Sequence, residues 1–299
     1  MKITTVIPVF RDTQYLLDAI QSSFLQTDVE HEVIVVSDGN SEEIEKEILT
    51  FTKIPGVRAE VLSVNVGLAE ARNAGFRKAT GDFVRFLDAD DVLLPDSAKQ
   101  LKAFLTHSEV DVVIGKYLFS DRELVQTWGS DLPPLATDVT GADILFGWET
   151  SISIPIHSAL FRRTTLQKLN ADGPFRSGMR AKEDFIFWAE LLNIGKSLTI
   201  EDTVCLYRQH GTNMCKDIRS MGESYLRAVN IISSTVVADS DVRLRFLDHS
   251  LNHFYHFYFR PQRGYLEEKF ATWGSRIEHA LRKNQLLFRT AKSLRKALT

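Results

Sequence analysis

Short apolar runs alternate with segments of helical periodicity through the first third of the 299-residue chain. We predict strands over residues 3–9, 32–37, 58–63 and 83–87, and helices over about 13–25, 41–52 and 68–79. Strands that alternate with helices in this way indicate an α/β fold with a mainly parallel sheet.

The pattern becomes less regular after residue 96. We predict a helix over 96–106, a strand over 110–116, a helix over 181–193 and a strand over 197–208, with a long irregular region around Pro133, Pro134 and Pro155. From about residue 219 the chain is helical in pattern and rich in aromatic residues, which we expect to form core or partner contacts. We therefore divide the chain into 1–95, 96–218 and 219–299. Long loops in compact enzymes often contact the substrate that differs between related enzymes. We therefore expect the middle segment, 96–218, to contact that substrate here.

Three carboxylates follow the fourth predicted strand within four residues: Asp88, Asp90 and Asp91. Like charges at this spacing raise one another's pKa unless a cation or hydrogen-bond donors hold them ionised. Carboxylate oxygens suit Mg²⁺ or Mn²⁺ carried by a phosphate. The cluster predicts a metal and diphosphate site at a strand end, and the alternative is a polar turn that leads into the helix near Pro95.

The other predicted strands also end in polar residues or in residues with special backbone properties, over 8–11, 37–40 and 65–67. Ligands of parallel α/β sheets bind beyond the carboxyl ends of the strands. We therefore expect the four strand ends to converge on one crevice.

Composition and charge exclude several classes of protein. The chain is 44% hydrophobic and 25% charged, as in ordinary globular proteins. It has no uninterrupted run of about 18 apolar residues for a membrane span, and its opening apolar run is too short for a signal peptide. Cys205 and Cys215 match no zinc pattern, and we expect reduced thiols in a cytoplasmic protein. Without a basic face or a known nucleic-acid motif, we expect no nucleic-acid partner.

Several motifs, taken in order, resemble the family 2 glycosyltransferases, which are nucleotide-sugar-dependent enzymes of the GT-A fold. The resemblance covers about residues 1–215 and is highly specific for the family. The matching segments are Val6-Ile7-Pro8-Val9-Phe10, Leu25-Gln26-Thr27, Ser37-Asp38-Gly39-Asn40, Asn65 to Asn73, Asp88-Ala89-Asp90-Asp91, Lys182-Glu183-Asp184 and Tyr207-Arg208-Gln209-His210.

The resemblance implies a GT-A domain with a donor-binding half (1–95) and an acceptor-binding half (96–218), followed by a helical C-terminal region (219–299). It implies that Asp90 and His210 bind Mn²⁺ or Mg²⁺ and that Asp88 lies on the ribose side. The implied donor-binding residues are Pro8, Val9, Asp38, Asn65, Gly67, Arg72, Asp88, Ala89, Asp90, Arg208 and His210.

Each of these side chains also has a structural reading. Asp38 can accept a hydrogen bond from the imide of uracil, or it can form an ordinary Asx turn. Arg72 can reach the nucleotide or its phosphates as a fixed cation, or it can be an exposed surface residue. His210 can donate to a phosphate or bind the metal, whereas a histidine in a loop is more often a surface residue. The chain departs from the family pattern at Ser37, where a second acid is typical, and at Arg11, where Asn is usual.

Two acids, Glu183 and Asp184, open an apolar-rich predicted helix. The helix dipole alone favours acids at this position. The resemblance assigns Asp184 as the general base and Glu183 as an acceptor contact or orienting group. The remaining histidines, including His157, His253 and His256, have no comparable context.

The resemblance therefore implies a metal-dependent, inverting glycosyltransferase. We expect it to move a sugar from a nucleoside diphosphate donor, a UDP-sugar, to a hydroxyl of a glycan, a lipid-linked glycan or a cell-surface polymer. One alternative is a Mg²⁺-dependent nucleotidyltransferase, which needs a glycine-rich loop that residues 8–12 do not contain. The other is a catalytically inactive glycan-binding module, against which the intact acids argue.

The last 24 residues, 276–299, carry seven Lys or Arg against the single acid Glu278, although the whole chain has a net charge of -3. Most of these cations fall off an apolar stripe formed by Ile277, Leu281, Phe288, Ala291, Leu294 and Leu298. This pattern is typical of a helix that lies at the inner face of the membrane. The alternative is a terminal helix packed on the protein or on a second copy in a homo-oligomer.

Overall fold

The computed structural model describes residues 1–25, 29–210 and 218–259. Within these residues, nine strands of the first unit form one mixed sheet. The chain divides into two units, Met1–Asn213 and Met214–Thr299. The strands are β1 (Lys2–Val9), β2 (Glu30–Asp38), β3 (Val57–Leu62), β4 (Phe83–Phe86), β5 (Val92–Leu93), β6 (Val112–Ser120), β7 (Thr127–Trp128), β8 (Ala159–Arg162) and β9 (Ser197–Arg208).

The first four strands are parallel and lie in the order β3-β2-β1-β4. β1, β2 and β4 are buried at successive positions, so apolar residues occupy both faces of the sheet there, as in Val33-Ile34-Val35-Val36 of β2. Beyond β4 the order continues β8-β6-β9-β5, with β7 on β6, and β8 is antiparallel to both of its neighbours. The predicted parallel sheet is therefore confirmed in its first half, and the second half is mixed.

Seven α-helices flank this sheet within the described part of the first unit: α1 (Leu16–Ser22), α2 (Glu42–Thr50), α3 (Leu68–Lys78), α4 (Ala98–Thr106), α5 (Gly141–Gly147), α6 (Arg163–Leu166) and α7 (Glu183–Ile194). α3 packs closely on β1 and β2 at Gly75, where a Cβ atom would lie 2.3 Å from Val6 Cγ1. α7 is buried along most of its length, which explains its apolar composition.

One apolar cluster lies under the strand ends. Val9 from β1, Leu87 after β4 and Val204 from β9 belong to it, and Ala89 packs against it from the acidic segment. The cluster therefore joins the two halves of the sheet directly below the polar residues that follow the strands.

The second unit contains α8 (Ile218–Thr235) and α9 (Ser240–His253), followed by a π-helical turn over Phe254–Phe259. The Asp239 carboxylate caps α9, and Tyr225 contacts the ring of Tyr258 at 5.5 Å. The helical prediction for this region is confirmed over these residues. None of the helices described is both long and apolar enough to span a membrane. Gln26, Thr27, Cys215 and the segment 276–299 lie outside the described residues.

Candidate active site

Asp38 ends β2 and organises the loop that precedes α3. Its Oδ1 accepts the backbone N–H of Val66 at 2.7 Å, and its Oδ2 accepts the N–H of Gly67 at 3.0 Å and the side-chain amide of Asn65 at 2.8 Å. Gly67 has a φ of 88°, in the left-handed region that favours glycine. Three predicted donor-binding residues, Asp38, Asn65 and Gly67, therefore form one hydrogen-bonded cluster.

An open cavity of ≈ 460 Å³ lies beside this cluster. It is lined by Phe10, Arg11, Gly39, Asn40, Ser41, Ile44 and Asn65. Arg11 has a φ of 68°, and its backbone N–H donates to Asn40 Oδ1 at 2.6 Å while its guanidinium lies 4.5 Å from the Phe10 ring centroid. Asn40 in turn donates to Ser37 Oγ and to the Val9 carbonyl, each at 2.9 Å. The two departures from the family pattern, Arg11 and Ser37, thus hold Asn40 from two sides.

Arg72 on α3 joins the acidic segment after β4 to the acidic pair on α7. Its two terminal nitrogens donate to Asp88 Oδ1 at 2.7 Å and to Glu183 Oε1 at 3.0 Å, and the residue is 2% exposed. Burial raises the pKa of Asp88, but the charge and hydrogen bond of Arg72 outweigh it and lower the pKa below its ordinary value. Arg72 is therefore no surface residue, and its contact with a donor stays a prediction.

Asp90 meets the basic residues that follow β9. Its Oδ2 lies 2.9 Å from His210 Nε2, and its carbonyl accepts from Arg208 Nε at 2.7 Å. The Arg208 guanidinium also bonds Asp18 and lies 4.1 Å from the Tyr15 ring centroid. Burial and then the charge of Asp88 raise the pKa of Asp90, so the carboxylate lies where a cation would stabilise its charged form.

A second histidine, His157, lies directly behind the acidic segment. The N–H of Arg208 donates to Asp91 Oδ1 at 2.8 Å, and His157 Nδ1 lies 3.0 Å from Asp91 Oδ2, although the contact lacks hydrogen-bond alignment. Burial lowers the pKa of His157 to about 4 and raises that of Asp91 well above its ordinary value. Burial therefore disfavours the charged form of both side chains. Sequence reasoning passed over His157, because nothing in its local sequence points to Asp91.

Two sets of side chains fit a divalent cation by their chemistry. Ligand atoms of Asp88, Asp91 and His157 lie within 4.8 Å of one another, but Asp91 and His157 are buried. Asp90 and His210 lie in the more open position, and the Asp90 side chain is 33% exposed. A cation that also binds a diphosphate needs open coordination positions, so Asp90 and His210 fit that role better.

The acidic pair begins α7 in an unusual backbone context. Lys182, just before it, has a φ of 65° and pairs with Glu149, which also has a positive φ. Asp184 is partly buried, and its Oδ1 accepts the N–H of Phe185 at 2.8 Å. Burial and then the neighbouring charge of Glu183 raise the pKa of Asp184 to about 7. A carboxylate with a pKa near 7 is suited to accept a proton at neutral pH.

The structure thus places the predicted site residues in two groups. The first contains Asp38, Asn65 and Gly67 beside the open cavity. The second group has two bonded sets that meet in the segment Asp88-Ala89-Asp90. Arg72 bonds Asp88 and Glu183, which Asp184 follows, and Asp90 bonds Arg208 and His210. Pro8 and Val9 are buried at the end of β1, between the two groups in the strand order, and Val9 shares the apolar cluster with Ala89.

Known proteins are similar to this chain in sequence or in fold. The chain is 29% identical over 223 residues to an uncharacterized glycosyltransferase of Nostoc sp., covering 71% of this chain and 66% of that protein. It is 29% identical over 116 residues to glycosyltransferase GlyA of Streptococcus pneumoniae, covering 39% of this chain and 17% of that protein. The chain thus spans less than two thirds of the length of either relative.

The crystal structure of S. aureus TarS 1-349 in complex with UDP-GlcNAc superposes with a TM-score of 0.65 at 17% identity, covering 86% of this chain and 73% of that one. This likeness confirms the GT-A fold, a mixed sheet with flanking helices and a helical C-terminal region. The sequence profile of Glycosyl transferase family 2 matches residues 4–184, more than half of the chain. The chain therefore belongs to glycosyltransferase family 2.

Proposed function

We propose that this glycosyltransferase moves a sugar from a UDP-sugar to a hydroxyl of a glycan, a lipid-linked glycan or a cell-surface polymer, with inversion at the anomeric carbon. The observation that carries the proposal is the bridge through Arg72, which joins Asp88 on the donor side to Glu183 beside the candidate base Asp184. Two acidic motifs far apart in sequence thus meet at one site.

The cavity beside Asn40 supports a nucleotide donor. The aromatic ring of Phe10 and the guanidinium of Arg11 give it one stacked wall, and Asn40 contributes amide groups to its lining. S. aureus TarS, which shares the fold, has been crystallised with UDP-GlcNAc and with UDP. We therefore assign the uracil to this cavity, and the diphosphate to the region between Asp88 and Arg208.

Asp90 and His210 would hold Mn²⁺ or Mg²⁺ in this proposal, since their side chains meet in the open part of the site. The bound cation supplies Lewis-acid stabilisation of the departing diphosphate. Arg208 orients this segment by bonding the Asp90 carbonyl and the Asp91 carboxylate.

Asp184 acts as the general base. The acceptor oxygen attacks the anomeric carbon while Asp184 takes the acceptor's proton, and the bond between that carbon and the diphosphate oxygen breaks, which releases the nucleotide. A single displacement of this kind inverts the anomeric configuration. Glu183 is held by Arg72 and orients the base or the acceptor.

The proposed location is the cytoplasm. Its support is Cys205, a buried free thiol, which fits a reducing compartment.

Calorimetric titration with UDP tests the donor and metal assignments. We expect the full chain to bind UDP more tightly with Mn²⁺ than with EDTA, and we expect Asp90→Ala to bind UDP equally in both, because a metal ligand is lost. Asp96→Ala is the matched control. Asp96 lies in the short helical turn over Pro95–Ser97, just after the acidic segment, and pairs with Lys99 at the surface. Unchanged Mn²⁺ dependence in Asp90→Ala would show that Asp90 does not bind the metal.

A UDP-sugar panel, with the product followed by NMR, tests the reaction itself. Inversion predicts the opposite anomeric configuration in the first product formed. Retention of configuration would reject the single displacement.

A further inference from the structure

Three aromatic residues lie side by side on adjacent strands of the second half of the sheet. Phe119 on β6 pairs in register with Tyr207 on β9 and with Trp128 on β7. Directly paired residues project on the same face of a sheet, so the three rings form a row, which we call the aromatic ladder. The donor site described above does not use these rings.

The ladder is covered at its inner end and open at its outer end. Tyr207 lies 5.2 Å from the His157 ring and 5.5 Å from Phe119, and Phe119 stacks on Trp128 at 6.2 Å with an interplanar angle of 27°. Trp128 is 45% exposed, whereas Trp148 and Trp188 are buried. One side of the indole thus rests on Phe119, and a large part of the ring faces solvent.

The ladder is continuous with the active site. Tyr207 contacts the ring of His157, whose Nδ1 lies 3.0 Å from Asp91 Oδ2 in the acidic segment. Tyr117 contacts Phe119 edge-on at 5.4 Å, and the Ser130 and Ser153 side chains lie near its hydroxyl. The carbonyl next to Ser153, that of Ile154, accepts the indole N–H of Trp188 on α7 at 2.9 Å. The ladder is therefore tied both to the acidic segment and to the helix that begins with the candidate base.

The chemistry of the ladder's outer end matches a sugar ring. A pyranose has an apolar C–H face that stacks on an indole and a rim of hydroxyls that needs polar partners. Gln126, two residues before Trp128, is exposed and supplies such a partner at the surface. A lipid chain would need a broad apolar surface, whereas the exposed Val125 of this hairpin is flanked in sequence by the exposed polar residues Arg122, Glu123, Gln126 and Thr127.

We propose that the aromatic ladder is an acceptor subsite, in which Trp128 stacks on a pyranose ring of a carbohydrate acceptor. This inference rests on the proposed function, because it takes the acceptor to be a glycan. It assigns Trp128 to acceptor binding alone, with no part in holding the donor or in the chemistry.

Fluorine NMR of the full chain labelled with 5-fluorotryptophan tests the subsite without a need for activity. The probes are soluble gluco-, galacto-, manno- and chito-oligosaccharides, and the Trp128→Phe variant identifies the Trp128 signal by its loss. We expect at least one oligosaccharide to shift that signal saturably. We expect the shift to persist in Asp90→Ala, because the subsite does not depend on the donor or the metal.

Transfer kinetics with the shifting oligosaccharide provide the second readout. We expect Trp128→Ala to raise the acceptor KM by about 10-fold or more, the scale of losing one aromatic stacking contact, with kcat and UDP affinity unchanged. Trp128→Phe should retain most of the affinity. Val125→Ala, in the same hairpin and 78% exposed, is the matched control and should change nothing.

The outcomes separate the subsite from the proposed function. A shift of the Trp128 signal in a protein that transfers no sugar would keep the subsite and reject the transfer reaction. Transfer to a carbohydrate without any shift of that signal would overturn the subsite. A shift caused by phospholipid vesicles and by no oligosaccharide would also overturn it, in favour of a lipid surface.

Discussion

Asp184 has two properties that a general base requires, a fixed position at the start of α7 and a raised pKa. Its carboxylate lies at the head of a buried helix beside Glu183, and both burial and that neighbouring charge raise its pKa to about 7. An ordinary aspartate would be a weaker base at neutral pH. Partial burial beside a second acid thus gives Asp184 the pKa that the proposed general base needs.

We expect Asp184→Asn to lower kcat by about 10²-fold or more, the scale of losing a general base, with UDP affinity nearly unchanged. In the wild-type chain, kcat/KM should rise with pH and level off above about 7, because only the ionised carboxylate accepts a proton. Steady-state rates between pH 5 and 9 provide the measurement. Near-normal transfer by Asp184→Asn at saturating substrates would move the role of base to another residue.

The same raised pKa has a cost in stability. Between the unfolded value of 3.8 and the folded value of about 7, the folded chain binds more protons at Asp184 than the unfolded chain does. The free energy of unfolding therefore falls as pH rises through this window. We expect Asp184→Asn to have a higher Tm than the wild type at pH 8, and the difference should shrink toward pH 4. Equal Tm values at pH 8 would show that Asp184 ionises without cost.

The contribution of Arg72 to stability can be tested by a single substitution. We expect Arg72→Ala to lower the free energy of unfolding by about 3 kcal/mol, because it leaves the buried Glu183 and the partly buried Asp88 without their cation. Arg77→Ala on the same helix is the control, since Arg77 pairs with Glu70 near the surface and its loss should cost about 1 kcal/mol or less. Urea unfolding at pH 7 measures both, and equal losses would mean that the bridge adds nothing beyond a surface pair.

Sequence reasoning identified the individual residues of the motifs but not the residues that they contact. Asp38 was predicted to bind the base, and the structure shows its oxygens occupied by the loop over 65–67. Arg72 and Glu183 are 111 residues apart, and a single sequence contains no signal that they touch. His157 was missed for the same reason, because only the folded sheet brings it to Asp91.

Among the elements, α3 is the one whose position controls both groups of site residues. It begins in the loop held by Asp38 and carries Arg72 one turn later. Its close approach to the sheet depends on Gly75, where the Val6 and Val36 side chains leave no room for a methyl group.

We expect Gly75→Ala to lower the free energy of unfolding by about 1–3 kcal/mol, as overpacking does, although alanine is the better helix former. It should also weaken UDP binding, because α3 must move away from β1 and β2. Gly129→Ala, at a position with open space, should be neutral. Thermal unfolding with and without UDP measures both effects, and a stabilised Gly75→Ala would show that the helix does not rely on this contact.

Elements with clear boundaries in the sequence were predictable from pattern. The strand predicted over 197–208 has the same bounds as β9, because its apolar positions recur over twelve residues between Gly195 and the polar residues after Arg208. The four-residue β4 was also predicted, since its run ends at the acidic segment. β8 and α5 fell within the region predicted as irregular. They have four and seven residues and lie among prolines, glycines and polar residues that hide a short hydrophobic period.

At the scale of the whole molecule, the predicted association with a membrane depends on residues 276–299, which lie outside the described residues. Each Lys or Arg near an anionic surface contributes about 1 kcal/mol. We expect the full chain to bind anionic liposomes in a salt-sensitive manner, and we expect deletion of 276–299 to abolish this binding while UDP binding is preserved. Equal liposome binding by both proteins, or loss of a dimer on deletion, would favour a structural role for the tail.

The bridge through Arg72 also predicts which residues should occur together in homologues of this chain. Residues 72, 88 and 183 share one buried cation and two carboxylates, so a neutral replacement of Arg72 leaves both carboxylates uncompensated, whereas a neutral replacement of either acid leaves Arg72 paired with the other. A protein that loses Arg72 but keeps both acids should therefore be destabilised. We expect substitutions of Arg72 to be fixed together with substitutions of both acids. Homologues of this chain that lack an arginine at the position of Arg72 should accordingly lack both acids as well, and homologues that keep both acids should keep the cation.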